Sequence, residues 1–290
     1  MAKQIIPCGV DDIDQYCKDI LSGQIPACKY TIQAIERFQR DLKRVDDDPQ
    51  FPYYFQPKAL FHFQEFCENN LSHYQGHFAQ KPFLLEPWQK FLVGNMLGWL
   101  HNKKYNGEIN IRRFQQSNIF IGKKNGKSML VSAIALYQML YEGQAQEIYG
   151  FAMNRNHAKR LSWEKSREMV NNNDILKEIF KVNNSIANLS IKCPETGSIF
   201  EPYANDSDSS DGISPTLAIF DENKDLTDFS LVETIKAGFA SRLNPMLINI
   251  SSCGYNTNSV GYQLFSESQD ILSGDVHDDR VFCLIYSIDK

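Results

Sequence analysis

One stretch constrains this chain more than any other. Residues 117–140, SNIFIGKKNGKSMLVSAIALYQML, run from an apolar strand into Gly122-Lys123-Lys124-Asn125-Gly126-Lys127-Ser128 and on into what reads as an amphipathic helix. Glycines let backbone N–H groups close around phosphate oxygens, and the start of the helix adds the positive end of its dipole. In such a loop Lys127 reaches the β- and γ-phosphates and the Ser128 hydroxyl ligates magnesium. Gly122, Lys124, Asn125 and Gly126 supply the cradle. The spacing is G-x-x-x-G-K-S, one residue shorter than the standard phosphate loop. Lys123, four residues before Lys127, reads equally well as a second cation for the γ-phosphate and as a solvent-facing loop lysine.

A strand feeding a phosphate loop implies a parallel sheet, and the sequence around it supplies one. Short apolar runs at Asn118–Ile121, Ile148–Met153, Leu217–Phe220, Met246–Ile250 and Val281–Tyr286 alternate with helical stretches at Ser128–Tyr141, Asn156–Val170, Phe229–Phe239 and Val260–Leu272. That alternation predicts an α/β fold, a P-loop NTPase with a mainly parallel central sheet flanked by helices. Residues 187–203 read as a hairpin turning near Glu195–Gly197. Before this region lies a helical segment. Ile13, Tyr16, Cys17 and Ile20 share a face, as do Ile32, Ile35, Phe38 and Leu42, and a further helix carries Leu60, Phe63, Phe66 and Cys67. The stretch at 47–57, with three prolines, is expected to be irregular. The division predicted is an N-terminal helical segment over 1–80 and a P-loop ATPase domain over 81–290.

The second half of the site is expected in ISPTLAIFDENKDL (213–226), where a strand ends in two acids. Asp221 would hold the magnesium shell and Glu222 would polarise the attacking water, since phosphoryl transfer needs positioning and charge stabilisation. The Asp206–Gly212 run lacks the spacing and terminal glutamate of a calcium loop and reads as a polar loop. Upstream, LLEPWQKFLVGNMLGWL (84–100) is by pattern an amphipathic helix, in which the Gln89 amide is suited to read an adenine edge with Trp88 packed beside it. Downstream, Ser251, Ser252, Cys253 and Gly254 end a strand near where a γ-phosphate would lie.

Composition sets limits on these readings. A net charge of −5 argues against a dedicated nucleic-acid-binding domain, although a ring of subunits can contact a duplex through a few local cations. The pairs Lys103-Lys104 and Arg112-Arg113 read as solvated loop charges. Seven scattered cysteines without a C-x-x-C pair read as reduced buried thiols. No apolar run is long enough for a membrane helix, and the N-terminus lacks a secretory core, which together predict a cytosolic setting.

In this order, LEPWQKFLVGNMLGW, IGKKNGKS, IFDENKDL and INISSCGYNTNS resemble the large terminase subunit of tailed bacteriophages, the ATPase that pumps viral DNA into a capsid. The resemblance extends to TIQAIERFQRDLKRV and RVFCLIYSIDK, and that family's loop has the same shortened N-G-K-S ending. It implies ATP and Mg2+ as ligands, with Gln89 as the adenine-reading glutamine, Lys127 and Ser128 as the phosphate-loop pair, and Asp221 and Glu222 as the magnesium and catalytic acids. Ser251 and Ser252 match the motif that couples hydrolysis to movement. It further implies double-stranded DNA, a portal protein and a small terminase subunit as partners, a homo-oligomeric ring when active, and the bacterial host cytoplasm as the place of work.

Two departures stand out. The family usually has arginine where Lys123 stands, and lysine lacks the bidentate fork. For the family's arginine finger the candidate is Arg242, in ASRLNP, which reads equally as a surface charge at a helix end. Full-length members continue into a ribonuclease-H-like nuclease, and the sequence stops about where that domain begins, so ATPase capacity without DNA cleavage is expected. The alternatives are a helicase-like P-loop ATPase and a non-catalytic assembly scaffold.

Overall fold

The computed structural model describes residues 8–107, 109–152, 162–185, 188–204, 213–223, 226–227, 229–252 and 256–289. An eight-stranded sheet organises the chain. Its strands are β3 (Gln116–Phe120), β4 (Glu147–Ala152), β5 (Lys181–Asn183), β6 (Ser190–Cys193), β7 (Ser198–Ala204), β8 (Leu217–Asp221), β9 (Met246–Ser251) and β10 (Val281–Ile285). They lie in the order β10-β3-β9-β8-β4-β7-β6-β5. The six from β10 to β7 are parallel, and β6 runs antiparallel between β7 and β5. The expected hairpin is β6–β7. Parallel strands need both faces covered, and accordingly β3, β8, β9 and β10 are buried along their whole length.

The helices are α1 (Cys8–Leu21), α2 (Lys29–Asp47), α3 (Lys58–Asn70), α4 (Pro87–Gly98), α5 (Lys127–Tyr141), α6 (Glu164–Asn171), α7 (Asp174–Ile179), α8 (Ser230–Gly238) and α9 (Val260–Ser273). The faces predicted for the first three are the faces they bury: Ile13, Tyr16, Cys17 and Ile20 in α1, Ile35 and Phe38 in α2, and Leu60, Phe63, Phe66 and Cys67 in α3. Two expectations fail here. Helices α4 and α5 are not amphipathic: Phe91 to Gly98 and Leu130 to Met139 are buried continuously, because neighbours cover them all round. Nor is 47–57 irregular throughout, since β1 (Tyr53–Phe55) pairs antiparallel with β2 (Trp99–His101).

A third expectation fails with more consequence. Arg112 and Arg113 are not solvated. The Arg113 guanidinium lies 2.8 Å from both Asp41 and Asp279, is 1% exposed, and is enclosed by the rings of Tyr53, Trp99 and Phe114. Arg112 pairs with Glu142 at 2.6 Å. Lys103 and Lys104 are exposed as predicted.

The N-terminal helices share one continuous core with the sheet. Helix α2 also closes the sheet's outer edge. Thr31 Oγ1 donates to the Ile285 carbonyl at 2.6 Å, and Arg37 Nη1 donates to that of Val281 at 2.9 Å. Cys17, Cys28, Cys67, Cys193 and Cys283 are buried free thiols, as expected; Cys8 and Cys253 lie outside the described side chains. Among the described residues no helix is long and apolar enough to cross a membrane.

Candidate nucleotide site

In an open parallel sheet, ligands gather beyond the carboxyl ends of the strands. Here the ends of β3, β8 and β9, adjacent in the sheet, bring the predicted residues together. Beyond β3 the chain turns through exposed Gly122 to Gly126 into α5. Asn125 closes the turn, its amide donating to the Gly122 carbonyl at 3.2 Å. Lys124 and Gly126 both have left-handed backbone, at φ 67° and 74°. Gly126 is the residue before the first turn of α5, whose initial N–H groups have no partner within the helix.

Lys127 is buried and its ammonium is well held. It donates to the carbonyls of Ile121 at 3.0 Å and Gly122 at 2.9 Å, and lies 3.8 Å from Glu222 Oε1. Glu222 follows β8 in left-handed conformation, φ 66°, with its N–H on the Ile250 carbonyl at 2.9 Å. For a residue with a β-carbon this backbone costs about 1–3 kcal/mol and persists only where the surroundings enforce it. Its other carboxylate oxygen accepts from Ser252 Oγ at 3.2 Å. Ser252 therefore joins the site directly. Ser251, buried in β9, turns its hydroxyl onto the Ser252 carbonyl at 3.0 Å. Cys253 and Gly254 lie outside the described residues, as does the 206–212 run.

Asp221 is 2% exposed, and neither carboxylate oxygen has a well-formed hydrogen bond. Burial raises its carboxyl above the ordinary range; the Ser128 hydroxyl and the Lys165 and Lys127 ammoniums pull it back, while Glu222 pushes it further up. A buried carboxylate with unpaired oxygens beside a hydroxyl is the donor set of a hard cation such as Mg2+, which takes one or two protein oxygens and completes its shell with water and phosphate. Among the described residues no cluster of three His, Cys, Asp or Glu offers a fuller metal cage. Beside the carboxylates, a cavity of about 10 Å³, lined by Phe151, Phe220, Asp221, Glu222, Asn223 and Leu231, has room for about one water.

Gln89 stands next to this loop in a way its sequence context did not announce. It is buried, and it forms a reciprocal cap with Glu86 at the start of α4, its Oε1 accepting from the Glu86 N–H at 2.9 Å. The opposite end of its amide faces the loop: Nε2 lies 3.6 Å from where a Cβ on Gly126 would stand. Trp88 packs edge-on against Tyr286. Lys123 and Lys124 are exposed on the rim of the loop.

Arg242 is the candidate that the fold places elsewhere. It lies at the opposite end of the sheet, just before β9. Its guanidinium donates to the Ser214 carbonyl at 2.6 Å and pairs with Glu147, the first residue of β4, at 2.7 Å. Those contacts are those of a brace between strand starts. Two residues at the site carry no signal in the sequence. Lys165, on α6, is a lysine among charged neighbours; burial lowers its ammonium while Asp221 raises it. Asn223, directly after the acid pair, is buried.

The family model described as "Terminase large subunit, ATPase domain" matches residues 87–270. The crystal structure of the HK97 bacteriophage large terminase is similar in fold, with TM-score 0.64 at 22% identity, covering 82% of this chain and 45% of that one. The large terminase of a thermophilic bacteriophage, solved in complex with ATP-gamma-S, overlaps more loosely, with TM-score 0.42 at 16% identity, over 60% of this chain and 39% of that one. Protein YmfN of Escherichia coli strain K12 is 32% identical over 80 residues, which is 28% of this chain and 18% of YmfN. The chain thus spans less than half the length of these relatives. With the family model matching well over half of its residues around this phosphate loop and acid pair, the chain belongs to the terminase large subunit ATPase domain family.

Proposed function

We propose that this chain hydrolyses ATP at the β3–β8–β9 crevice and that the hydrolysis drives double-stranded DNA into a procapsid. The observation that carries the reading is the convergence of Lys127, Ser128, Asp221, Glu222 and Ser252, drawn from positions 127 to 252, at the carboxyl ends of three adjacent strands. In this reading Gly122 to Gly126 cradle the phosphates with their backbone. The Lys127 ammonium exchanges its two carbonyl partners for phosphate oxygens, keeping its charge where charge develops in phosphoryl transfer. Ser128 and Asp221 would hold Mg2+, which when bound neutralises phosphate charge. Glu222, anchored through one oxygen by Ser252, orients the attacking water and receives its proton. Lys123, on the rim, offers a further cation to the γ-phosphate, and Gln89 offers its Nε2 to the base.

Residues 81–290 act as the motor and 1–80 as its buttress. The partners that follow from the reading are DNA, a portal protein, a small terminase subunit and further copies of this chain in a ring, in the cytoplasm of a bacterial host. An arginine supplied across subunits is part of that reading; Arg242, the candidate for it, is held in the single subunit by Glu147 and the Ser214 carbonyl.

The test measures ATP turnover by the wild type and by Glu222→Ala against protein concentration, with and without duplex DNA. Turnover that rises with concentration and DNA, and is lost in Glu222→Ala, is expected. Absence of both nucleotide binding and turnover in the wild type overturns the motor reading. Turnover indifferent to DNA and concentration points to a P-loop enzyme of another kind.

A further inference from the structure

The sheet face covered by α9 is apolar around Phe120, Phe220 and Phe265, yet three asparagines are buried in it. Asn118 and Asn249 are register partners on β3 and β9. Asn223 follows Glu222 and reaches the same face. Each primary amide taken out of water costs a few kcal/mol unless its hydrogen bonds are replaced, so three of them in one place call for an account.

Their bonds form a single directed series. Asn223 Nδ2 donates to Asn249 Oδ1 at 3.4 Å, and Asn249 Nδ2 donates to Asn118 Oδ1 at 2.9 Å. Asn118 Nδ2 then donates to Ser268 Oγ on α9 at 3.1 Å, and Ser268 donates to the Leu264 carbonyl at 2.6 Å. Gln116 Nε2 fills the second lone pair of Asn118 Oδ1 at 2.9 Å. Apart from this side branch, every donor points the same way, from the catalytic loop to the helix, so each bond polarises the next. At the head, Asn223 Oδ1 is buried without a hydrogen-bond partner, beside the small cavity that Asp221 and Glu222 also line.

Glu222 needs such an anchor. Its left-handed backbone is held on one side by the Ile250 carbonyl, and its side chain by Ser252 and Lys127. On the far side the next residue, Asn223, is tied through its side chain to Asn249. We propose that Asn223, Asn249 and Asn118 are positioning residues, a relay that sets the Glu222 carboxylate for water activation and ties that setting to α9. The proposal rests on the reading of Glu222 given above. It extends that reading by making the hydrolytic geometry depend on a helix that packs on α2, β3 and β10.

The test compares Asn223→Ala, Asn249→Leu and Ser268→Ala with the wild type and Glu222→Ala, measuring kcat, KM, nucleotide affinity and Tm for each. A relay predicts kcat reduced roughly ten- to hundredfold in Asn223→Ala and Asn249→Leu, the scale of a catalytic group displaced by a fraction of an ångström to an ångström. Ser268→Ala should lose less, and KM and nucleotide affinity should stay within about twofold in all three. A purely structural role predicts lowered Tm with kcat intact; kcat within twofold of wild type in folded Asn223→Ala and Asn249→Leu overturns the proposal. If Asn249→Leu shows no cooperative unfolding, Asn223→Ala and Ser268→Ala decide the matter by the same criterion. Should Glu222→Ala turn over as the wild type does, the reading of the site fails and the relay falls with it. Loss in Glu222→Ala with wild-type rates in the relay variants sinks the relay alone.

Discussion

The two glycines of the phosphate loop are equivalent in the sequence motif and unequal in the structure. Gly126 has φ 74°, whereas Gly122 has no left-handed backbone. A Cβ on Gly122 would meet only Asn125 Nδ2 at 3.4 Å, and one on Gly126 only Gln89 Nε2 at 3.6 Å, both ordinary contacts. Space therefore does not separate them; conformation does. Holding an L-residue in the left-handed region costs about 1–2 kcal/mol, and the loop must be held there to present its N–H groups. Expressed as affinity, Gly126→Ala should weaken nucleotide binding roughly 5- to 30-fold, at about 1.4 kcal/mol per tenfold. Gly122→Ala should stay within about twofold, because alanine adopts its backbone without strain and even stiffens the unfolded chain by about 0.4–1 kcal/mol. Fluorescence titration with a labelled ATP analogue, with Tm measured in parallel, reads both effects. Equal losses in the two variants would refute the argument, because the need for glycine would then come from close approach of a phosphate and not from the turn.

Other substitutions separate structure from chemistry. Burial raises the Asp221 carboxyl, so the folded state disfavours its charge: that destabilisation is absent below the ordinary carboxylate range and grows as pH rises through it. Asp221→Asn should accordingly raise Tm at neutral pH, by the equivalent of roughly 1–3 kcal/mol for two unpaired buried oxygens, lose that advantage in acid, and abolish turnover; an unchanged or lower Tm at pH 7 contradicts it. Arg113→Ala leaves Asp41, 3% exposed, without its close partner. Breaking a buried pair costs about 3–5 kcal/mol, a fall of about 6–10 °C by thermal melting at on the order of 2 °C per kcal/mol, and a fall under about 2 °C would show the cage to be dispensable. Arg242→Ala should cost only about 1 kcal/mol, its partner Glu147 being half-exposed, and leave turnover within twofold; lost turnover at unchanged Tm would restore it as a catalytic arginine.

Most of what made the site legible is local. A strand, a tight loop and a helix start are written in consecutive residues, and Asp221–Glu222 announce themselves by ending an apolar run. The helix faces of α1 to α3 follow from a period of 3.6 alone. What stayed hidden depends on partners far away in the chain. Arg113 looks like a loop charge because Asp41 and Asp279 are 72 and 166 positions from it in the numbering. Asn118 and Asn249 look like polar interruptions in apolar strands, since only the sheet register reveals that they face one another. Helices α4 and α5 read as amphipathic because sequence shows a helix's own pattern and not how many neighbours surround it. Gln89 was legible as a polar group beside the loop, but its role as a helix cap depends on a Glu in a position where Ser or Thr usually sits.

The closure of β10 by α2 bears on solubility. An outermost strand carries a row of outward-facing carbonyl and N–H groups that can template pairing with another chain. Thr31 and Arg37 occupy the outward carbonyls of Ile285 and Val281. Cutting the protein at residue 80 would strip both away and leave five fully buried residues, Val281 to Ile285, as a bare apolar edge. Such a fragment would keep every residue of the nucleotide site and still tend to stack edge to edge into aggregates. The helical segment that looks like an appendage in the sequence therefore acts as the sheet's selvedge, keeping copies of the chain from joining through its hydrogen-bonding edge.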